Sequence, residues 1–249
     1  MPAAARPRLP LASGHAGFTL VELAVVLAVL GVLGIAMTSA FTGVAQDRDR
    51  NTARAQAEVA RQALRTFALR NQRLPCPDTS AAGDSGHEGG GSGCAAGVQV
   101  GWLPYLDLDL DPPVRGARLR YGVHRGAGAD LAVLTAGSDD LDGNAAFRRK
   151  LAQLAGTAPS SAHPYYGTPA ASGTPDCVEV RTNPAFVLVA PLRDQDGVAA
   201  GFDGANQGFG DGSRLCTAAP DQPGDARYDD VVAAEGASSL LGWIARPAR

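Results

Sequence analysis

The hexapeptide GFTLVE at residues 17–22 opens the apolar run FTLVELAVVLAVLGVLGIAM, which covers residues 18–37. This run is twenty residues long and carries a single charge, on Glu22. At ~1.5 Å per residue, a helix of this length covers the ~30 Å hydrocarbon core of a bilayer. The run therefore predicts a membrane-spanning helix near the start of the chain.

The residues that flank the run indicate its orientation. Seventeen residues precede Phe18 and include Arg6 and Arg8 but no acid, whereas the first acids after the run are Asp47 and Asp49. By the positive-inside rule, this asymmetry places the N-terminus in the cytoplasm. A secretory signal peptide would have a shorter apolar core followed by a small-residue cleavage site, but here the small residues come before the run.

The chain begins with a short basic leader, followed by a glycine, the motif Phe-Thr-Leu-x-Glu and an unbroken apolar run. This order resembles the N-terminus of type IV prepilins and type II secretion pseudopilins. The resemblance covers about residues 14–45. It implies that residues 1–17 are a leader, that prepilin peptidase cleaves between Gly17 and Phe18, and that the new amino terminus at Phe18 is N-methylated. It also implies that residues 18–45 form a transmembrane and assembly helix.

The resemblance further implies a set of partners and a location. The partners are prepilin peptidase, other pilin or pseudopilin subunits, an inner-membrane assembly platform and a cytoplasmic ATPase. The expected location is the bacterial inner membrane, crossed once, with the domain at residues 46–249 in the periplasm and with incorporation into a filament. The tertiary structure that it implies is the pilin architecture, in which the outer half of a long N-terminal helix packs on an antiparallel sheet.

Glu22 is the residue of this stretch that needs a physical explanation. A carboxylate in a membrane helix costs roughly 2–3 kcal/mol or more unless it is paired. The expected partner is the α-amino group released at Phe18, in the same chain or in a neighbouring chain. The resemblance implies that the pairing with a neighbour sets the register of one subunit against the next. The alternative is a plain signal anchor, never processed, in which Glu22 lies near the lipid headgroups.

Composition excludes some classes of function. The 249 residues carry a formal net charge of −3, and because the leader contains two arginines, the remainder is more acidic still. This charge gives no electrostatic attraction for nucleic acid. The length suffices for one membrane anchor and one globular domain.

Four cysteines follow the apolar run, and their even number in an oxidising compartment predicts two disulfides. Three pairings are open. We favour the pairs Cys76–Cys94 and Cys177–Cys216 because each brackets a loop rich in glycine or proline. The alternative is a zinc site, but the chain has no C-x-x-C pair and its four histidines are not spaced as ligands.

Hydrophobic periodicity predicts that the N-terminal helix continues to about residue 72. Within residues 53–68, one helix face is predicted to be apolar and to pack on a sheet: Val59, Ala60, Ala63, Leu64, Phe67 and Ala68. The opposite face is predicted to be charged and solvated: Arg54, Glu58, Arg61 and Arg65.

The rest of the chain predicts short strands and two short helices, and hence an α+β class. Residues 118–123 and 130–136 are expected to form a hairpin, and residues 177–181 and 185–192 a second antiparallel pair. A last strand is expected at 228–233. The helices are expected at 145–154 and 238–244. The glycine-rich segment at 79–97 is expected to depend on its disulfide for a defined shape.

Several turns gather carboxylates of the kind that calcium binds. The candidate ligands are Asp139, Asp140, Asp142, Asp203 and Asp211. The closing glutamate of an EF-hand is absent, and Asp-Gly is common turn chemistry, so these aspartates do not form a recognised calcium motif. Calcium is the one cofactor for which the sequence offers candidate ligands, and no other cofactor is predicted.

No catalytic motif such as G-x-S-x-G or H-E-x-x-H occurs, so the sequence predicts a non-enzymatic protein. The predicted function is a structural subunit, present in few copies, of a type IV pilus or a type II secretion pseudopilus. The alternatives are a ligand-binding subunit at the filament tip, or an unprocessed, membrane-anchored periplasmic protein.

Overall fold

The computed structural model describes residues 19–126, 128–134, 143–167, 177, 179–194, 201–224 and 228–245, with only the backbone for 34–43 and 143–144. The chain divides into two compact units, Met1–Asp47 and Arg48–Arg249. Gly17 and Phe18 lie outside the described residues, as do three of the calcium candidates: Asp139, Asp140 and Asp142.

Helix α1 is the longest element and runs over Leu20–Asn71, 52 residues. Its end agrees with the predicted end near residue 72. Gln72 takes a left-handed conformation with φ 53°, and Pro75 follows three residues later. Proline cannot continue a helix because it has no N–H to donate and its ring clashes with the preceding turn.

A four-stranded antiparallel sheet forms the centre of the second unit. Its strands are β1 (Val100–Trp102), β2 (Arg120–Val123), β6 (Phe186–Ala190) and β8 (Val231–Glu235), side by side in that order. The register places Tyr121 opposite Leu188, and Leu188 in turn opposite Ala233. The sheet, together with α1, confirms the α+β class.

The remaining elements are short and lie around this sheet. The pair β3 (Arg125–Gly126) and β4 (Ala129–Asp130) is antiparallel, and the pair β5 (Tyr165–Tyr166) and β7 (Cys216–Thr217) is parallel. The other α-helices are α2 (Gly143–Ala155), α3 (Asn206–Asp211) and α4 (Ala237–Ile244). Single 3-10 turns occur at Ala81–Gly83, Glu88–Gly91, Leu106–Leu108 and Arg115–Ala117.

Strand β6 is buried on both faces, which explains its unbroken apolar sequence FVLVA. Because side chains alternate along a strand, its residues divide between two cores. Phe186, Leu188 and Ala190 belong to a core that also contains Leu64 of α1. Val187 and Val189 belong to a second core, whose other main members are Phe202, Phe209 and Tyr228.

The predicted pairing of residues 118–123 with 130–136 is wrong. Strand β2 pairs with β1 and β6, while β4 ends at Asp130 and pairs with β3. The strand stops there because the Asp130 carboxylate accepts the N–H of Ala132 at 3.0 Å, which turns the chain.

The predicted pairing of residues 177–181 with 185–192 is also wrong. Strand β6 pairs with β2 and β8, and the described residues of 177–181 contain no strand. The segment before β6 is instead attached to residues 160–164, because the side-chain amide of Asn183 donates to the carbonyl oxygens of Ser160 at 2.8 Å and Pro164 at 3.0 Å.

The apolar face of α1 differs in detail from the prediction. It consists of small residues with one leucine: Ala53, Ala57, Ala60, Leu64 and Ala68, all of which belong to the main core. Val59, predicted to be part of this face, is 56% exposed. The alanines share the spacing of three and four residues that defines one helix face.

Two arginines predicted to be solvated instead hold a buried acid at the end of β8. The side chain of Glu235 is 1% exposed, and Arg65 donates to its two oxygens at 3.0 and 2.8 Å. Arg61 lies 4.0 Å from the same carboxylate, and the Ser239 hydroxyl of α4 donates to it at 2.6 Å. This carboxylate therefore joins α1, β8 and α4.

The structure contains both favoured disulfides. The Cα atoms of Cys76 and Cys94 are 5.6 Å apart, and those of Cys177 and Cys216 are 5.8 Å apart. A zinc site made of these four cysteines is thereby excluded, since a disulfide sulfur is not a thiolate ligand.

The glycine-rich segment 79–97 has further support from a buried carboxylate. The side chain of Asp78 accepts the N–H groups of Ser80 and Gly86, each at 2.8 Å, and its residue is fully buried. The backbone of Asp78 also bridges to Trp102 in both directions at 2.8 Å. The turn after α1 is thus attached to the edge strand β1.

A second acid in this segment is also held within the fold. Glu88 accepts two hydrogen bonds from Arg73, at 2.6 and 2.9 Å, and one from the N–H of Cys76 at 2.8 Å. Its own N–H donates to Asp107 at 2.5 Å. The segment therefore has a defined shape for reasons besides its disulfide.

We expect Arg65→Ala to lower the free energy of unfolding by about 3 kcal/mol, because it leaves the Glu235 carboxylate buried without its main partner. Chemical denaturation of the full chain measures this change. Arg70→Ala is the matched control, since Arg70 on the same helix forms an exposed pair with Asp109, and the loss of this pair should cost less than about 1 kcal/mol. Equal effects of the two variants would contradict this role of Glu235.

Candidate functional site

The N-terminal end of α1 is the first candidate site. The N–H of Glu22 donates to the hydroxyl of Thr19 at 3.2 Å, and the N–H of Thr19 donates to the Glu22 carboxylate at 3.4 Å. This reciprocal arrangement is a capping box, in which two N–H groups that lack helical partners are satisfied. Glu22 thus has a local role that the sequence analysis missed, although the Thr-x-x-Glu spacing could have indicated it.

The first turns of α1 expose an unusual amount of apolar surface. Among the described side chains of this stretch, the exposed large ones are Leu20, Val21, Leu23, Val25, Val26, Leu27, Val29, Leu30, Val32 and Leu33. They lie on all sides of the helix, whereas a helix on the surface of a globular domain exposes polar residues. Soluble globular domains rarely leave apolar surface of this extent exposed to water.

The predicted membrane span over residues 18–45 is not confirmed. In the described part of the chain, no helix reaches the combination of length and mean hydropathy that crossing a membrane requires.

An acidic cluster is the second candidate site. Oxygens of Asp203, Asp229 and Asp230 lie within 4.8 Å of one another, just before β8 and before α3. Asp203 and Asp230 are buried and Asp229 is partly exposed. Asp203 is one of the predicted calcium ligands, whereas Asp229 and Asp230 fall in the strand predicted at 228–233. Two adjacent acids at the start of an otherwise apolar strand are the signal that could have indicated a site here.

Hydrogen bonds hold this cluster together. One oxygen of Asp230 accepts the N–H of Asp203 at 2.9 Å and the side-chain amide of Asn206 at 3.0 Å. Asp203 accepts the N–H of Asp229 at 3.2 Å. The second oxygen of Asp230, Oδ1, is buried without a hydrogen-bond partner among the described residues.

Burial raises the pKa of the Asp230 carboxyl to about 7, and the negative charges of Asp203 and Asp229 add to the effect. Hydrogen bonds from Asn206 and Asp203 oppose it. Three carboxylates this close need a compensating positive charge, which can be a proton on Asp230 or a bound cation with a preference for oxygen ligands.

The structure separates the predicted calcium candidates. Asp211 lies at the end of α3, where its carboxylate accepts the N–H of Ser213 at 2.7 Å, and it is not a member of the cluster. The calcium role of Asp203 stays a prediction, and Asp229 and Asp230 are the residues that would complete its ligand set.

Comparison with known families addresses the N-terminal site. Residues 13–38 match the family model of the prokaryotic N-terminal methylation motif. This motif is the hallmark of the type IV pilin and pseudopilin family, and the match confirms the resemblance stated from the sequence. No curated protein and no solved structure matches the chain.

Asp230 predicts a pH dependence of stability. Because its pKa is higher in the folded than in the unfolded chain, the folded state holds a proton that the unfolded state has released between about pH 4 and pH 7. This group therefore makes stability fall as pH rises through that interval. The difference in free energy of unfolding between Asp230→Asn and the parent chain should change by about 3–4 kcal/mol from pH 4 to pH 8.

Thermal and chemical denaturation at a series of pH values measure this change. Asp221→Asn is the control, because an exposed carboxylate such as that of Asp221 contributes little to the free energy of unfolding. Adding Ca²⁺ at pH 8 tests the calcium prediction with the same variants. A calcium ligand set requires a rise in melting temperature for the parent that is lost in Asp230→Asn; equal melting temperatures with and without Ca²⁺ would contradict it.

Proposed function

We propose that the chain is a structural subunit, present in few copies, of a type IV pilus or a type II secretion pseudopilus. The observation that carries this proposal is the N-terminal methylation motif at residues 13–38, which introduces a helix whose apolar side chains are exposed on all sides. Other subunits with the same kind of helix, or lipid, would cover this surface.

In this proposal prepilin peptidase removes residues 1–17, and Phe18 becomes the N-methylated amino terminus. Before assembly the helix resides in the inner membrane, and the domain that follows is periplasmic. Two disulfides within that domain support an oxidising compartment. An assembly platform in the inner membrane and a cytoplasmic ATPase would drive incorporation into the filament.

The size and surface of the domain support a position of low copy number. Segments such as 79–97 and 201–224 add bulk beside the four-stranded sheet. A densely packed filament leaves little room for such additions at every position, whereas the tip accommodates them. Long filaments made of this chain alone, at high copy number, would contradict the proposal.

Processing is tested by intact and N-terminal mass analysis of the chain from cells with and without prepilin peptidase. We expect a chain that begins at N-methylated Phe18 only where the peptidase is present. A chain that keeps residues 1–17 in both strains would contradict the proposal and would favour a permanent membrane anchor.

The two roles of Glu22 can be separated by substitution. Glu22→Gln keeps the capping box, since glutamine accepts the same N–H, but removes the charge that would pair with the Phe18 amine. Thr19→Ala removes one capping hydrogen bond at a cost of about 1 kcal/mol and keeps the charge. If the charge pair directs assembly, Glu22→Gln should reduce incorporation by roughly tenfold or more and Thr19→Ala should not.

Incorporation is measured as the amount of processed chain in sheared or purified filaments, relative to the amount in the membrane fraction. Incorporation of Glu22→Gln at the parent level would show that Glu22 acts through capping alone.

A further inference from the structure

Two histidines from distant parts of the sequence face each other beside the small sheet of β3 and β4. His124 lies between β2 and β3, and His163 precedes β5. The centroids of their rings are 4.2 Å apart, and the ring planes are inclined by 51°. Neither residue belongs to the N-terminal motif or to the acidic cluster.

Gly126 shows where the ring nitrogens point. A Cβ atom placed on Gly126 would lie 2.9 Å from Nε2 of His124 and 3.0 Å from Nε2 of His163. Both nitrogens therefore border the same small volume, and any side chain at position 126 would occupy it. Glycine avoids the collision that a side chain at this position would make with both nitrogens.

The tautomer of His163 follows from Gln99. The side-chain N–H of Gln99 donates to the carbonyl of Ala162 at 2.9 Å, which orients its oxygen toward Nδ1 of His163, 3.1 Å away. The same oxygen accepts the N–H of Arg125 at 3.4 Å. Since an amide oxygen can only accept, Nδ1 of His163 carries the proton and Nε2 presents a lone pair. A histidine that binds a metal typically donates its other N–H in this way.

His124 is in the chemical form that a metal ligand needs. It is 3% exposed, and burial together with the neighbouring His163 lowers its pKa to about 4, so its ring is neutral at physiological pH. Burial also lowers the pKa of His163. A donor to Nδ1 of His124 would force the ring proton onto Nε2. Nδ1 is buried and has no hydrogen-bond partner among the described residues, so this constraint is absent from that part of the chain.

The charged groups around the pair are already engaged with one another. Arg125 binds both oxygens of Asp130 at 3.2 and 3.1 Å, and Lys150 donates to the carbonyl oxygens of Asp130 and Val133. The Asp130 carboxylate is thus committed to Arg125 and is not a third ligand here. Of the described side chains named here, the two imidazoles are the ones left to bind a metal ion.

We propose that His124 and His163 bind one divalent transition metal ion through their Nε2 atoms, in the volume beside Gly126, with water completing the coordination. Imidazole nitrogen is a suitable ligand for Zn²⁺, Ni²⁺ and Cu²⁺, and of these ions Cu²⁺ binds a given nitrogen site most tightly. Binding would crosslink residues 124–126 to residue 163 within one chain. Metal binding does not depend on whether the protein enters a filament.

The test uses the full chain and CuCl₂ as the probe. Electron paramagnetic resonance should show splitting from two imidazole nitrogens, and calorimetry should give the affinity and stoichiometry of that site. His163→Gln should weaken this site by roughly 10- to 100-fold, and Gln99→Ala by about tenfold through loss of the tautomer that Gln99 sets. His87→Gln is the matched control, because His87 is exposed and contacts Asp107, and it should leave the site unchanged.

Gly126→Ala is the most selective variant, because it keeps both histidines and fills the volume between their nitrogens. It should abolish binding while circular dichroism stays that of the parent chain. If a variant does not fold, the spectrum of the parent decides: a signal without two imidazole nitrogens, or no binding at 100-fold excess of Cu²⁺ over the chain, would overturn the proposal. Equal affinity of His163→Gln and the parent would overturn it as well.

Discussion

The burial of β6 on both faces is the constraint on which the rest of the domain depends. A strand whose side chains alternate between two apolar cores needs a layer on each side. One core includes the alanine-rich face of α1, and the other includes Phe202, Phe209 and Tyr228 from later segments. The long segments after β6 are therefore structural, since they supply the second layer that a helix and one sheet cannot provide.

This double coverage also explains why acids are buried in a chain of ordinary composition. The segments that cover β6 bring polar residues inside with them, and each buried carboxylate needs hydrogen bonds or a counter-charge. Glu235 has Arg65, whereas Asp230 has Asn206 and a raised pKa. The contrast shows two solutions to the same problem: an ion pair where an arginine is within reach, and partial neutralisation where other acids are adjacent.

The sequence predicted those features that local chemistry determines. The N-terminal motif was identified by its resemblance to prepilins, whereas the end of α1 near Asn71 follows from periodicity and proline, and the two disulfides from the positions of the cysteines around loops. Strand pairing could not be predicted, because β2 pairs with β6, which lies far along the chain, and neighbouring apolar segments gave no sign of it. The roles of Arg65, Glu88 and Asp230 were missed for a related reason: a charged residue in a helix or loop is usually solvated, and only the tertiary fold supplies its partner.

The two parts of α1 differ in the size of their apolar side chains. Toward the domain, alanines on one face permit close approach to the sheet, so that this part of the helix becomes a member of the core. Toward the N-terminus, leucine and valine appear on all sides and are exposed. The same continuous helix is thus a core element over one part and an unsatisfied apolar surface over the other. Exposed apolar surface is unfavourable in water, and burial against another molecule removes this cost. The N-terminal methylation motif at residues 13–38 leads one to expect such burial.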